Sequence, residues 1–300
     1  MKKTILFLCI LLVGFCQTVN ASRQKAKHVV MIALDGWGAY SVPKAKNIPN
    51  IRQLMENGCY TLKKRSVLPS ASAINWASMF NGTPTEIHGY TQWGSKTPEI
   101  PSRVVNKHGI IPTIYSVLQE QKPELKTACL YEWDGIKYLI DTLAVTHHAI
   151  APDYEKNPSL LCEMAEKYIK TEKPGFLAVC FDQLDHVGHS AGHDTPGYYD
   201  KLVELDSYVG RILQAVKESG IGDDTIIIMT ADHGGINKGH GGITLEEMEI
   251  PFIIAGKNVK KGGEFEESMM QYDTASTIAY IFGVEQPQVW VGRPMIQVFK

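Results

Sequence analysis

The sequence predicts an α/β fold: a doubly wound, mostly parallel central sheet with helices on both faces. Two patterns predict it. Continuous apolar runs end at turn residues, and segments of helical periodicity lie between them. Strands covered by helices on both faces read as unbroken apolar stretches rather than as alternation. Composition supports a globular chain. Of 300 residues, 44% are hydrophobic and 21% charged, which excludes long disorder, collagen and a polytopic membrane protein.

Strands are expected at His28–Leu34, before Asp35-Gly36, and at Phe176–Phe181, before Asp182. Two more are expected at Thr225–Thr230, before Ala231-Asp232, and at Pro251–Ala255, before Gly256. Helices are expected at Pro49–Glu56, Pro112–Gln121, Ser159–Thr171 and Asp273–Phe282, the last stopped by Gly283. Another is marked by Leu202, Leu205, Val209, Ile212, Leu213 and Val216 at helical spacing, with Gly220 beyond. Such alternation builds a parallel sheet. No repeat or linker divides the chain, so residues 22–300 read as one catalytic domain. The polar, glycine- and proline-bearing stretches 89–111 and 132–158 read as loops or a small cap over one sheet end.

Lys2-Lys3, the apolar run from Ile5 to Phe15 and Val19-Asn20-Ala21 form the pattern of a secretory signal peptide, residues 1–21. The run is shorter than the ~20 residues of a spanning helix. An exported protein, periplasmic or extracellular and without a stable membrane span, is therefore expected. Cys59, Cys129, Cys162 and Cys180 remain after cleavage. Export permits disulfides, but spacing does not choose a pairing. Cys129 and Cys180 lie in strand-like runs that suit small buried hydrophobes. The formal net charge of −2, with no basic run, excludes the footprint of a duplex nucleic-acid binder. The sequence leaves the oligomeric state open.

Chemistry concentrates after the strands. Asp35, Asp182/Asp185 and Asp232 each follow one, and ligands of open α/β sheets bind beyond the carboxyl ends of strands. Histidines accompany them, in Asp185-His186-Val187-Gly188-His189, in Asp232-His233-Gly234-Gly235 and at His240. Crowded buried carboxylates repel one another, and divalent cations relieve the repulsion. Mixed aspartate oxygen and imidazole nitrogen suits Zn²⁺ before Mn²⁺ or iron. Asp185 and His189 are four apart, one helical turn. A helix over Ser72–Phe80, stopped near Gly82, would put Ser72 at its amino end, which favours phosphate. From pattern alone, Ser70 or Ser72 could equally cap that helix.

These segments together resemble the alkaline phosphatase superfamily, most closely its nucleotide pyrophosphatase/phosphodiesterase-like branch. The matching words are Leu34-Asp35-Gly36, Pro69-Ser-Ala-Ser72-Ala-Ile-Asn75, Asn81-Gly82-Thr-Pro84 to His88-Gly89, Asp185-His-Val-Gly188-His189, Ala231-Asp232-His233-Gly234 and Gly239-His240-Gly241, in that order. Asp273-Thr-Ala-Ser-Thr-Ile and Gly292-Arg293-Pro294 also fit. The resemblance implies two divalent metal ions, most readily zinc. Asp185, His189 and His240 would hold one; Asp35, Asp232 and His233 would hold the second, which also meets Ser72. Ser72 would be the nucleophile, passing through a phosphoseryl intermediate, with a small phosphorylated substrate as partner.

His240 is preferred over His186, His193, His147 and His148, because the surrounding glycines suit a tight metal loop. His193 is expected to line the substrate pocket, and His147-His148 to be a solvated turn or strand pair. Ser72 is preferred to Ser70 by its spacing to Asn75 and His88, and His88 reads as structural. One departure stands out. Relatives of this branch place a phosphate-binding asparagine about twenty residues after the nucleophile, whereas the corresponding residue here is Trp93. Gln92 or Asn75 could supply the donor, and Trp93 could stack on a flat leaving group. A phosphodiesterase or nucleotide-pyrophosphatase activity is therefore expected, with a phosphomonoesterase as the alternative. A sulfatase is disfavoured, since no Cys-x-Pro-x-Arg or Ser-x-Pro-x-Arg surrounds Ser72. A metal-binding module without turnover is the remaining alternative.

Overall fold

The computed structural model describes residues 24–300; the expected signal peptide lies outside the described residues. Eight strands form one sheet: β1 (His28–Leu34), β2 (Gly58–Arg65), β3 (Thr127–Tyr131), β4 (His147–Ile150), β5 (Phe176–Phe181), β6 (Thr225–Thr230), β7 (Glu249–Gly256) and β8 (Gly263–Glu264). Their order is β4-β3-β5-β1-β6-β7-β2-β8. The five strands from β4 to β6 are parallel, and β7 runs antiparallel to both β6 and β2. The helices are α1 (Ser41–Lys44), α2 (Pro49–Asn57), α3 (Ser72–Asn81), α4 (Thr85–His88), α5 (Ile114–Gln121), α6 (Leu160–Glu172), α7 (Gln183–Ala191), α8 (Pro196–Glu218), α9 (Leu245–Met248) and α10 (Asp273–Phe282).

The side-chain alternation of β1 divides the core. Val29, Met31 and Ala33 pack with α3, α5 and α10 on one face, while Val30, Ile32 and Leu34 pack with α2, α6 and α8 on the other. All six are fully buried, which is why the run lacks polar residues. Full burial of each large aliphatic side chain is worth roughly 1.5–3 kcal/mol.

The four expected strands form, and each ends within two residues of its expected limit. Of the other four, β2 and β8 were not anticipated, whereas β3 was marked only by the strand-like run around Cys129 and β4 only by the His147-His148 turn or strand pair. β2 is masked by Thr61, Lys63 and Lys64, yet Lys64 is buried and donates from Nζ to Thr230 Oγ1 at 2.8 Å. β3 is short. β4 carries His147-His148 at the sheet edge, where His148 Nδ1 meets Tyr131 Oη at 3.0 Å. β8 has only two residues. Cys59, Cys129, Cys162 and Cys180 are buried free thiols. No helix among the described residues is long and apolar enough to cross a membrane.

One long-range cap joins the layers. The N-cap of α2, Ile48, has no side chain able to cap it. Asp206 of α8 supplies the acceptors instead: its Oδ1 receives Ile51 N–H at 2.8 Å and its Oδ2 receives the Asn50 side chain at 2.8 Å. Asp206 is 2% exposed, so Asp206→Ala would strand buried donors. Urea unfolding should show a loss of about 2–3 kcal/mol, with Asp206→Asn losing less; equal losses would rule out the cap.

Candidate active site

The site lies where three neighbouring strands end. β1 pairs in parallel with β5 on one side and β6 on the other, with Leu34 opposite Phe181 and Ala33 opposite Thr230. Asp35, Asp185 and Asp232 therefore leave adjacent strand ends into one region. Trp76 Nε1 donates to Asp35 Oδ2 at 3.1 Å, and Gly36 N donates to Asp232 Oδ1 at 3.2 Å. Gly36 has φ +69, and a Cβ there would stand 2.6 Å from Asp185 Oδ1, so glycine permits both the turn and the approach.

The three expected histidine ligands share one device. Nδ1 of His233 faces Gly234 O at 2.7 Å, Nδ1 of His189 faces Lys238 O at 2.9 Å, and Nδ1 of His240 faces Ser70 O at 3.2 Å. A carbonyl only accepts, so Nδ1 carries the proton in each ring. In the neutral form Nε2 then presents a lone pair. These lone pairs converge. His189 Nε2 lies 3.2 Å from His240 Nε2 and 3.1 Å from Asp185 Oδ2, which is 3.9 Å from His240 Nε2. His233 Nε2 lies 3.3 Å from both Asp35 Oδ1 and Asp232 Oδ2, and 3.1 Å from Ser72 Oγ.

This donor set fits divalent cations. Buried Asp35 Oδ1, Asp185 Oδ1 and Asp232 Oδ2 have no hydrogen-bond partner, a state that costs about 1–3 kcal/mol per group. Ligand atoms about 3.3 Å apart match the edge of a zinc tetrahedron with ~2.0–2.1 Å bonds. Asp185, His189 and His240 form one compact group; Asp35, Asp185 and His233 form another. Electrostatics point the same way. Burial, and then the charges of Asp232 and Asp185, hold the Asp35 carboxyl well above its usual range. Burial followed by Asp185 pushes Asp232 up to about 8. Burial opposes ionisation of Asp185, but the hydrogen bond with His189 and nearby imidazoles hold its carboxyl below the usual range. The same hydrogen bond raises His189 to about 9. His189 thus compensates Asp185, whereas Asp35 and Asp232 are left without enough positive charge to offset their burial.

Ser72 begins α3, but the N-cap position belongs to Ala71, which makes no side-chain cap. The Ser72 hydroxyl is therefore free to meet His233. Ser70 is committed elsewhere, donating from Oγ to Gly242 O at 2.7 Å. Ser70 thus ties the loop before α3 to the His240 loop through both its hydroxyl and its carbonyl. That second loop is further held by a capping box, in which Glu247 N donates to Thr244 Oγ1 at 3.4 Å and Thr244 N donates to Glu247 Oε2 at 3.2 Å, while Glu247 Oε1 also receives Gly242 N at 2.7 Å. The spacing Thr244-x-x-Glu247 was a readable signal for it.

Ser72 opens on a cavity of about 610 Å³ lined by Pro69, Ile74, Trp93, Trp133, Asp182 and His186, among others. Trp93, which is 67% exposed, lies on a loop held to the first turn of α3 by Ala73 N–H donating to Trp93 O at 3.0 Å. The two cap-like stretches meet here, Trp93 from 89–111 and Trp133 from 132–158. Two expected substrate contacts lie elsewhere. Asn75 is fully buried; its Oδ1 receives Val67 N, and its Nδ2 faces the carbonyls of Val67, Pro69 and Ala71. It braces the loop before Ser72, and apolar neighbours leave it no path to the cleft. The His193 side chain is buried beneath Asp185 and does not line the cavity. His88 packs inside, with Nε2 3.0 Å from Ser78 Oγ. Trp76, Trp133 and Gln271 were missed by sequence reasoning, and Asp182, read as a strand-end aspartate, lines the cleft. Gln271 Nε2 donates to Asp232 O at 2.8 Å, from a distant segment without a local motif.

The model of the type I phosphodiesterase / nucleotide pyrophosphatase family matches residues 29–249. The chain belongs to this family. The match begins within β1 and ends at the start of β7, so it contains every expected metal ligand and Ser72. Mouse ectonucleotide pyrophosphatase/phosphodiesterase family member 3 is 23% identical over 225 residues, 69% of this chain and 24% of that protein. The chain thus spans about a quarter of that relative's length. Among solved structures, murine ectonucleotide pyrophosphatase/phosphodiesterase 5 has a TM-score of 0.73 at 13% identity, covering 91% of this chain and 100% of that one. A 2-O GAG sulfatase has the same TM-score at 14% identity, covering 91% and 74%. Both likenesses establish the alkaline phosphatase-like fold.

The crowded carboxylates give a test. In chelator-treated protein near neutral pH, Asp232→Asn should raise stability by about 1–3 kcal/mol, because folding of the parent must protonate that buried carboxyl or hold it charged against Asp185, a cost the amide does not bear. Added zinc should then stabilise the variant far less than the parent in thermal melts. A variant destabilised in chelator would refute the repulsion.

Proposed function

We propose that the protein is an exported, two-metal phosphoric-ester hydrolase of the phosphodiesterase type, with Ser72 as nucleophile. The observation that carries this reading is Ser72 Oγ at the edge of the ligand cluster, 3.1 Å from His233 Nε2, facing a cleft of about 610 Å³. Asp185, His189 and His240 would hold one cation, and Asp35, Asp232 and His233 the other. Bound there, divalent cations, zinc by donor type, would polarise phosphoryl oxygens, stabilise the leaving oxygen and acidify the attacking hydroxyl.

In the proposed reaction, Ser72 Oγ attacks phosphorus in line and loses its proton. The bond from phosphorus to the leaving alcohol breaks, and its electron pair departs with the alcohol oxygen, which takes up a proton. The resulting phosphoseryl ester is attacked by water, the phosphorus–Oγ bond breaks, and Ser72 regains its hydroxyl. The start of α3 places the developing phosphoryl charge near the positive end of a helix dipole. Asn75 keeps the loop before Ser72 rigid through four hydrogen bonds.

The cleft supports a diester over a monoester. No lysine or arginine is among its lining residues, so the second charge of a monoester dianion would find no such partner. Trp93 and Trp133 offer flat apolar surface to the group beyond the phosphate. The family name and the phosphodiesterase relatives support the same substrate class. The sulfatase neighbours share the fold, but the residues after Ser72, Ala-Ile-Asn75, lack the Pro-x-Arg continuation of that chemistry.

Three measurements test the reading. Ser72→Ala should lower turnover by about 10³-fold or more while zinc content persists; retained activity would move the nucleophile elsewhere. A bis(nitrophenyl) phosphodiester should exceed nitrophenyl phosphate in kcat/KM by about tenfold, the effect of ~1.4 kcal/mol. The reverse order would favour the monoesterase. Trp93→Ala should raise KM for the aromatic diester about 2- to 10-fold with kcat little changed, as for a contact made equally in ground and transition states. An unchanged KM would remove Trp93 from the substrate.

A further inference from the structure

His193 differs from the other histidines of this region. Its ring is fully buried, and both ring nitrogens lack a hydrogen-bond partner, whereas Nδ1 of His189, His233 and His240 each faces a carbonyl. A buried imidazole with two idle nitrogens is costly to retain. The surrounding chain nevertheless makes room for it. A Cβ on Gly188 would stand 2.4 Å from the ring, and one on Gly235 would stand 2.3 Å from it. The ring thus sits in a slot cleared by two glycines from separate strand-end segments. His193 N–H donates to Asn237 O at 2.6 Å, which anchors the backbone.

The slot aims the ring at one atom. Nε2 lies 3.8 Å from Asp185 Oδ1, and that oxygen is itself buried and without a partner. The other oxygen of the same carboxylate, Oδ2, is the one that faces His189 at 3.1 Å and His240 at 3.9 Å. A shift of about 1 Å would bring the two idle atoms to hydrogen-bond distance. Carboxylates that ligate metals are oriented by such outer contacts, and losing one typically costs about 10- to 100-fold in metal affinity.

We infer that His193 is a positioning residue, whose Nε2–H holds Oδ1 of Asp185 and thereby directs Oδ2 toward His189 and His240. The inference rests on the reading of Asp185 as a metal ligand. It gives Gly188 and Gly235 a purpose beyond turning the chain, since a side chain at either would displace the ring.

The test uses the whole protein, His193→Phe and His193→Gln. Phenylalanine fills the slot without a donor; glutamine restores an N–H near the position of Nε2. Zinc affinity is read by competition with a chromogenic chelator, and folding by the thermal midpoint of the chelator-treated proteins. His193→Phe should bind zinc about 10- to 100-fold more weakly, and His193→Gln should recover most of that loss. Zinc affinity unchanged in His193→Phe, or equally weak in both variants, would overturn the inference. Nitrogen NMR of the parent ring provides a readout that needs no variant. In zinc-loaded protein His193 should be uncoordinated and protonated on Nε2. A proton on Nδ1, or a metal-bound nitrogen, would overturn the positioning role. A parent that fails to bind zinc would overturn the metal centre itself; failure confined to His193 would leave that centre standing.

Discussion

The structure turns on three buried carboxylates at the ends of three adjacent parallel strands. β5, β1 and β6 are neighbours, so Asp185, Asp35 and Asp232 cannot separate without breaking the sheet. Burial and mutual repulsion raise Asp35 and Asp232, and their free oxygens have no donors within the protein. An arrangement so poor in local compensation is explicable when positive charge arrives from outside. The hydrophobic core on both faces of β1 supplies the burial that holds the carboxylates together.

Backbone carbonyls complete the arrangement from the other side. Gly234, Lys238 and Ser70 each offer a carbonyl to one Nδ1, and this choice sends three Nε2 lone pairs inward. The side-chain torsions alone would not choose this orientation of the rings. The loop bearing His240 is in turn stitched to the loop before α3 by Ser70, so the ligand set and the serine hydroxyl share one scaffold. Ser72 lies beside the cluster for that reason, and Ala71 rather than Ser72 occupies the capping position.

The candidate metal ligands and the cleft wall come from different parts of the chain. The ligand cluster and Ser72 belong to the sheet ends and to α3. The cleft wall comes from two irregular stretches that contribute Trp93 and Trp133.

The core of this arrangement was legible in the sequence because it is local. Continuous apolar runs marked β1, β5, β6 and β7, Asp35 and Asp232 followed their strands within two residues, and Asp185 and His189 declared themselves by helical spacing. β2 hid behind Lys63 and Lys64, since a lysine buried by a threonine on a distant strand looks like a solvated one in isolation. Asn75 and His193 read as cleft residues because residue type and proximity do not reveal which way a side chain turns. Only the tertiary structure decided that Asn75 braces a loop, that His193 lies under Asp185 between two glycines, and that Trp76 and Gln271 support the aspartates. Those outcomes depend on contacts between segments far apart in the chain, whereas strand periodicity and the aspartates at strand ends are properties of neighbouring residues.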